Sequence, residues 1–232
     1  MSKSAGLVQL LAERSSILLD FDGPVCSIFA NRPASGVAEA LCDVLRSEGV
    51  EPTPSLQSER DPLEVLRWAA TLGRPDVVRR VEMKLCAEEF AASRTAVPTP
   101  HGREVIVGAF EAGKPLAIVS NNSAGAINSY ISRQRLGKYA TFVVGRSFGQ
   151  PDLMKPNPEP ILRAAKSLNT APADCVLIGD SLADIHGAHA AGLPVIGYAN
   201  RDEKIDQFGE AGADVVVTKM ADIACALIEM KV

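Results

Sequence analysis

Ile17-Leu18-Leu19-Asp20-Phe21-Asp22-Gly23-Pro24 is a compact apolar run that stops abruptly at an acidic turn. Consecutive apolar residues without alternation describe a strand covered on both faces, as in a parallel sheet sandwiched between helices. Comparable runs recur at residues 116–119, 142–144, 175–178, 195–197 and 215–217, and helix-patterned segments lie at 124–134, 159–167, 184–191 and 222–230. Strand and helix therefore alternate from about residue 100 onward, a rhythm that predicts an α/β fold with a doubly wound parallel sheet.

Residues 26–97 break that rhythm. They carry amphipathic helical patterns at 37–47, 62–72 and 76–91 and no convincing strand, so a helical insert is predicted over 26–97, between core pieces 1–25 and 98–232. Asn31-Arg32-Pro33 and Val97-Pro98-Thr99-Pro100 punctuate its two edges in a manner suited to hinges, and residues 51–55 read as an exposed connection.

With 232 residues and a 47% apolar share, the chain can fill a core. Twenty-four basic against 28 acidic residues leave a net charge of -4, which gives no global attraction for nucleic acid or an anionic membrane surface. Cys26, Cys42, Cys86, Cys175 and Cys225 are odd in number and form no CxxC pair, which favours buried, reduced thiols in a cytoplasmic protein. The apolar patch 7–11 is too short for a signal core and is followed by Glu13 and Arg14.

In open parallel sheets ligands bind beyond the carboxyl ends of the strands, where Asp20 and Asp22 sit. Carboxylates two apart can converge on a hard cation, and an aspartate beside a cation can attack phosphorus. An Asp-Gly turn with solvated acids explains the same residues. Three further segments bear on the choice. Ser120-Asn121-Asn122 ends another strand with a hydroxyl and two amides, suited to a phosphate oxygen or to an ordinary helix cap. Lys155 stands in a proline-rich turn and can neutralise a phosphoryl group. Asp180 and Asp184 follow a strand at a spacing of four, which lets both face one site if Asp184 lies in the first helical turn.

In order and spacing, residues 17–25, 118–122, 155–158 and 179–184 resemble the four motifs of the haloacid dehalogenase superfamily. The insert resembles the type I helical cap of its phosphoglycolate phosphatase-like members. The resemblance implies a Rossmann-like core and a Mg2+-dependent phosphatase that hydrolyses a small phosphorylated metabolite through an aspartyl-phosphate. It makes Asp20 the nucleophile and a metal ligand, and Asp22 the general acid and then base, with its backbone carbonyl on the cation. Ser120 and the N–H of Asn121 would hold the phosphate, Lys155 would offset the crowded negative charge, and Asp180 and Asp184 would complete the metal site. Asp22 favours a phosphate ester over a carbon–halogen bond, because an alkoxide leaving group needs a proton. A β-phosphoglucomutase-like sugar phosphomutase and a non-catalytic binding protein of the same fold are the competing readings. Arg32 is either an anion contact or a solvated charge, His101 and Arg103 have weaker claims, and Trp68 reads as core of the insert.

Pro24 stands where the superfamily most often has threonine, which removes a hydroxyl and a backbone N–H from the loop. The expected result is altered loop support with the chemistry retained. Pro24→Thr should therefore leave turnover and metal affinity unchanged in steady-state kinetics and metal titration. An inactive wild type that gains activity through this change would overturn the assignment.

Overall fold

The computed structural model describes residues 3–140 and 142–230. Its first part runs α1 (Lys3–Glu13), β1 (Ser16–Leu19), β2 (Cys26–Ser27), α2 (Ala34–Ser47), α3 (Pro54–Gln57), α4 (Pro62–Ala70), α5 (Pro75–Ser93) and β3 (Val97–Pro98). The second part runs α6 (Gly102–Glu111), β4 (Leu116–Val119), α7 (Ala124–Arg133), β5 (Phe142–Val144), α8 (Glu159–Ser167), β6 (Cys175–Gly179), α9 (Leu182–Ala191), β7 (Val195–Tyr198), α10 (Glu203–Glu210), β8 (Val215–Val217) and α11 (Met220–Glu229).

Six strands form one sheet in the order β5-β4-β1-β6-β7-β8, and every neighbouring pair is parallel. The pleat sends alternate residues to opposite faces. Ile17, Leu19, Ile118, Val176 and Ile178 join an apolar cluster with Leu11 of α1, Ile106 of α6, Ile127 of α7 and Leu227 of α11. Leu18, Ala117, Val119 and Leu177 point the other way, to Ile161 of α8, Ile185 of α9 and Phe208 of α10. Both faces of the four central strands β4, β1, β6 and β7 are covered, which is the physical reason these segments lack polar alternation. From β1 the chain builds outward through β4 and β5, then crosses to β6 and continues to β8 on the other side. The carboxyl ends of β1, β4 and β6 therefore meet where the strand order reverses.

Helices α2 to α5 pack around their own apolar cluster, which includes Leu41, Leu45, Leu66 and Val81. Trp68 packs against that cluster, as its helical spacing predicts. The segment 26–97 does, however, contain strand: β2 pairs antiparallel with β3, Cys26 opposite Pro98 and Ser27 opposite Val97. Two residues per strand leave no periodicity to read. Asn31 Nδ2 reinforces this ribbon by donating to Thr95 O at 2.8 Å. The proposed hinge segments are thus tied to each other.

Three core helices also went unforeseen. The apolar patch 7–11 is the middle of α1, whose Leu7, Leu10 and Leu11 are buried in the first face. Helix α6 carries a Val105-Ile106-Val107 run that mimics a strand, and α10 is short and charged. Of the thiols, Cys26, Cys42 and Cys175 are buried, but Cys86 is partly exposed and Cys225 is exposed. Burial of all five therefore fails, although none is disulfide-bonded. Among the described residues, no helix is long and apolar enough to cross a membrane.

Candidate active site

A cavity of about 700 Å³ opens between the carboxyl edge of the sheet and the insert, lined from the core by Asp20, Asp22, Ser120, Asn121, Lys155 and Asp180. Six of the seven residues singled out in the sequence thus share one cavity. Asp184 lies one layer behind it, fully buried as the third residue of α9. Its Oδ2 accepts from the N–H and hydroxyl of Ser181 in a capping box. Its Oδ1 lies 2.5 Å from Lys155 Nζ, so Asp184 reaches the cavity floor through the lysine.

Lys155 is buried and its ammonium spans three elements, 2.8 Å from Asp20 Oδ1, 2.5 Å from Asp184 Oδ1 and 3.2 Å from Val119 O. Burial works against this charge, but Asp184 and Asp20 outweigh it and raise the lysine pKa. Asn121 locks the lysine backbone from both sides, its Nδ2 donating to Lys155 O and its Oδ1 accepting from Lys155 N. Arg67 of α4 donates to the same carbonyl at 2.8 Å, a link from the insert to the site.

Asp20 follows β1 and is buried, and its Oδ1 meets the Lys155 ammonium at 2.8 Å in an ion pair that is poorly aligned as a hydrogen bond. A buried carboxylate with one imperfectly aligned partner is costly unless further donors or a cation complete its shell. Burial first, and then the charge of Asp184, raise the pKa of Asp20 against the opposing pull of Lys155. One carboxylate oxygen from each of Asp20, Asp180 and Asp184 lies within 4.8 Å of the other two. Clustered hard oxygen donors of this kind suit a cation such as Mg2+ or Ca2+.

Asp22 stands apart from that cluster, its Oδ1 accepting from Ile28 N at 2.9 Å. Burial lifts it to about 6, with the Ile28 N–H opposing the rise. Asp180 Oδ2 is held by Asn200 Nδ2 at 3.0 Å and Lys204 Nζ at 2.9 Å. Burial raises its pKa while Lys204 opposes the shift. Neither Asn200 nor Lys204 stood out in the sequence, because each approaches from some twenty residues downstream of Asp180.

Gly23 makes the close approach of the first loop to Asp180 possible. Its φ is +106°, and a Cβ there would lie 2.3 Å from Asp180 Cγ. Next to it, Pro24 offers no N–H, and Thr99 braces the loop, its hydroxyl donating to Gly23 O at 2.5 Å. That hydroxyl arrives from the far end of the insert, just after β3.

The insert contributes Phe29, Ala34 and the segment Glu59–Leu63 to the cavity, and the core adds Arg201. Glu59-Arg60-Asp61-Pro62 reads as a helix start, and Asp61 does cap α4 through Leu63 N, so its place at the cavity had no separate signal. Arg32 is not in the cavity, since its guanidinium pairs with Glu88 of α5. Arg103 donates to Gln134 O, and His101 adopts a left-handed conformation ahead of α6.

A doubly wound sheet with aspartates and a buried lysine gathered at its switch point, beneath a helical insert, defines an α/β protein with a core-and-cap type of site. The chain belongs to the haloacid dehalogenase-like hydrolase family, whose model matches residues 73–198, just over half its length. Phosphoglycolate phosphatase of Escherichia coli (strain K12) is 33% identical over 132 residues, 55% of this chain and 50% of that protein. The chain thus spans about half the length of the curated relatives it matches. The crystal structure of a "predicted phosphatase" from Clostridium acetobutylicum superposes with a TM-score of 0.70 at 18% identity, covering 93% of this chain and 99% of that one. A HAD family hydrolase from Deinococcus radiodurans R1, solved with bound phosphate and sodium, gives a TM-score of 0.60 at 22% identity over 95% and 97% of the two chains.

Gly23→Ala tests the packing of the first loop. Gly49 has a φ of +74° with open space around its Cβ position, so Gly49→Ala should cost only the left-handed penalty, about 1–2 kcal/mol. Gly23→Ala should cost at least ~1 kcal/mol more in chemical denaturation, because a clash with Asp180 is added.

Proposed function

We propose that this protein is a Mg2+-dependent phosphatase that hydrolyses a small phosphorylated metabolite through a phosphoryl group carried on Asp20. The observation that carries this reading is the buried Asp20 carboxylate on the cavity floor, paired with the Lys155 ammonium at 2.8 Å and sharing the cavity with Ser120 and Asp180. Asp20 is fixed at the end of a central strand, so it can meet phosphorus without reorganising. In the first step a carboxylate oxygen of Asp20 bonds to phosphorus while the bond from phosphorus to the leaving oxygen breaks. That oxygen takes a proton from Asp22. Water then attacks phosphorus, Asp22 accepts its proton, and the bond to Asp20 breaks to release phosphate.

The environments of the two aspartates support this division. Asp22 at about 6 can hold a proton and yield it near neutrality, as a group serving in turn as acid and base requires. Ser120 and the Asn121 N–H hold the phosphate oxygens, and Lys155 offsets charge around the nucleophile. Asp20 and Asp180, with the Asp22 carbonyl and with Asp184 behind them, would hold Mg2+. Bound there, the cation supplies the positive charge that lets an anionic substrate approach these carboxylates.

The insert closes the cavity from above and supplies contacts to the leaving group. The phosphoglycolate phosphatase relative and the bound phosphate of the Deinococcus structure support a phosphoester substrate of small size. Five thiols without a disulfide support action in the cytoplasm.

Asp20→Asn should abolish phosphate release and covalent phosphorylation across a panel of phosphorylated metabolites, while wild type is active with Mg2+ and inactive after its chelation. Turnover that survives in Asp20→Asn removes the nucleophile assignment. For Asp22→Asn, kcat on alkyl phosphates should fall about 10²–10⁴-fold. An aryl phosphate, whose leaving group departs without a proton, should lose far less. Equal losses on both substrates would take the acid role away from Asp22.

A further inference from the structure

Helix α5 buries two carboxylates against one guanidinium from the core. Arg146, beyond β5, has a side chain with 0% exposure and lies 2.7 Å from Glu82 Oε1 and 2.9 Å from Glu89 Oε1, side chains that are 1% and 0% exposed. The two acids are seven residues apart and share one face of the helix. Burial opposes the charge of Arg146, but Glu89 and Glu82 outweigh it and raise its pKa. Buried ion groups are expensive to desolvate, so their retention calls for a reason beyond adhesion.

The two acids differ in what else they touch. Glu82 accepts from Gly149 N besides Arg146 and makes no hydrogen bond to residues 120–123, which it meets only through Arg146, whose Nη1 donates to Asn121 O at 2.6 Å. Glu89 reaches the loop after β4. Its Oε1 accepts from Asn122 Nδ2 at 3.3 Å, and its Oε2 accepts from Ser123 N at 2.9 Å and from Arg146 Nη2 at 3.3 Å. With Asn122 Nδ2 engaged, the amide oxygen is turned to Ser120, whose Oγ donates to Asn122 Oδ1 at 3.2 Å and accepts from Asn122 N at 3.3 Å, so Asn122 fixes the oxygen and its single hydrogen must turn from the amide to a phosphate oxygen when substrate binds. Ser123 caps α7 without a side-chain hydrogen bond of its own, so the Glu89 carboxylate also sits at the positive end of that helix.

We propose that Glu89 is a positioning residue for the phosphate-binding loop: delivered by the insert, it orients Asn122 and, through Asn122, fixes the hydroxyl oxygen of Ser120. This deepens the phosphatase reading and rests on it. Every neighbour of Glu89 in this network is a donor. A glutamine must therefore aim its own NH2 at one of them, whichever way it is turned.

Glu82 supplies the matched control, an equally buried partner of the same arginine that makes no hydrogen bond of its own to the loop, and both variants keep one carboxylate on Arg146. In the full-length protein, Glu82→Gln and Glu89→Gln should lower the thermal midpoint by similar amounts. Only Glu89→Gln should lower kcat/KM, by about 10- to 100-fold, the scale of a displaced positioning group. In a Ser120→Ala background Glu89→Gln should cost little more, because coupled residues are not additive. Equal kinetic losses in the two glutamine variants, or a full added loss in the Ser120→Ala background, would overturn the proposal. If Glu89→Gln does not fold, Asn122→Ala carries the test, and unchanged kinetics there overturn it as well. The thermal shift produced by inorganic phosphate separates this inference from the activity: it should shrink in Glu89→Gln and persist in Glu82→Gln. A wild type that hydrolyses no phosphoester sinks the phosphatase reading. An active wild type with indistinguishable glutamine variants sinks only the role of Glu89.

Discussion

The ammonium of Lys155, held between the carboxylates of Asp20 and Asp184, is the contact on which the site depends. Asp20 comes from the end of β1, Asp184 from the first turn of α9 behind β6, and the Val119 carbonyl from the end of β4, so one nitrogen registers three neighbouring strands. Without it two carboxylates would confront each other in a buried space, and one of them would have to take up a proton. The lysine can hold this place because its own backbone is clamped by Asn121 and Arg67. Packing of the sheet brings the strand ends together, and this charge balance decides what they present.

At Asp20 the balance rests on the lysine, whose ammonium lies 2.8 Å from Oδ1 in a poorly aligned pair. Asp22, two residues on, is instead satisfied by a backbone N–H and stands outside the acid cluster. Two like side chains on one turn thus have unlike surroundings, and different surroundings are how identical carboxyl groups acquire different tasks. The turn achieves this with Gly23, which lets the chain pass close beside Asp180.

Much of this was legible in the sequence because its cause is local. A strand covered on both faces must be apolar throughout, so the four central strands stood out as unbroken runs, the partly exposed edge strands β5 and β8 are apolar as well, and the acids and amides at the strand ends marked the site. What stayed hidden depends on distance along the chain. Glu82 and Glu89 look like the solvated face of a helix until Arg146 arrives from more than fifty residues away. Arg32 had no visible partner because Glu88 is also remote in sequence. Thr99 on Gly23 O, which braces the loop beside Pro24, likewise belongs to a different segment. The β2–β3 ribbon is too short to carry a pattern, and it is visible only as a pairing.

That ribbon has a consequence for how the chain folds. By pairing Cys26 with Pro98 it brings the two ends of the insert together, so the residues between them form a closed excursion from the core. Once the ribbon has formed, the entropy of joining β1 to β4 no longer depends on how many residues separate them, because the long loop has been replaced by a short bridge. The sheet and the insert can then reach their own cores separately, each with an effective chain length shorter than the sequence suggests. Segments of other lengths are compatible with the same bridge, which makes this point in the chain a natural port for acquiring or exchanging a lid.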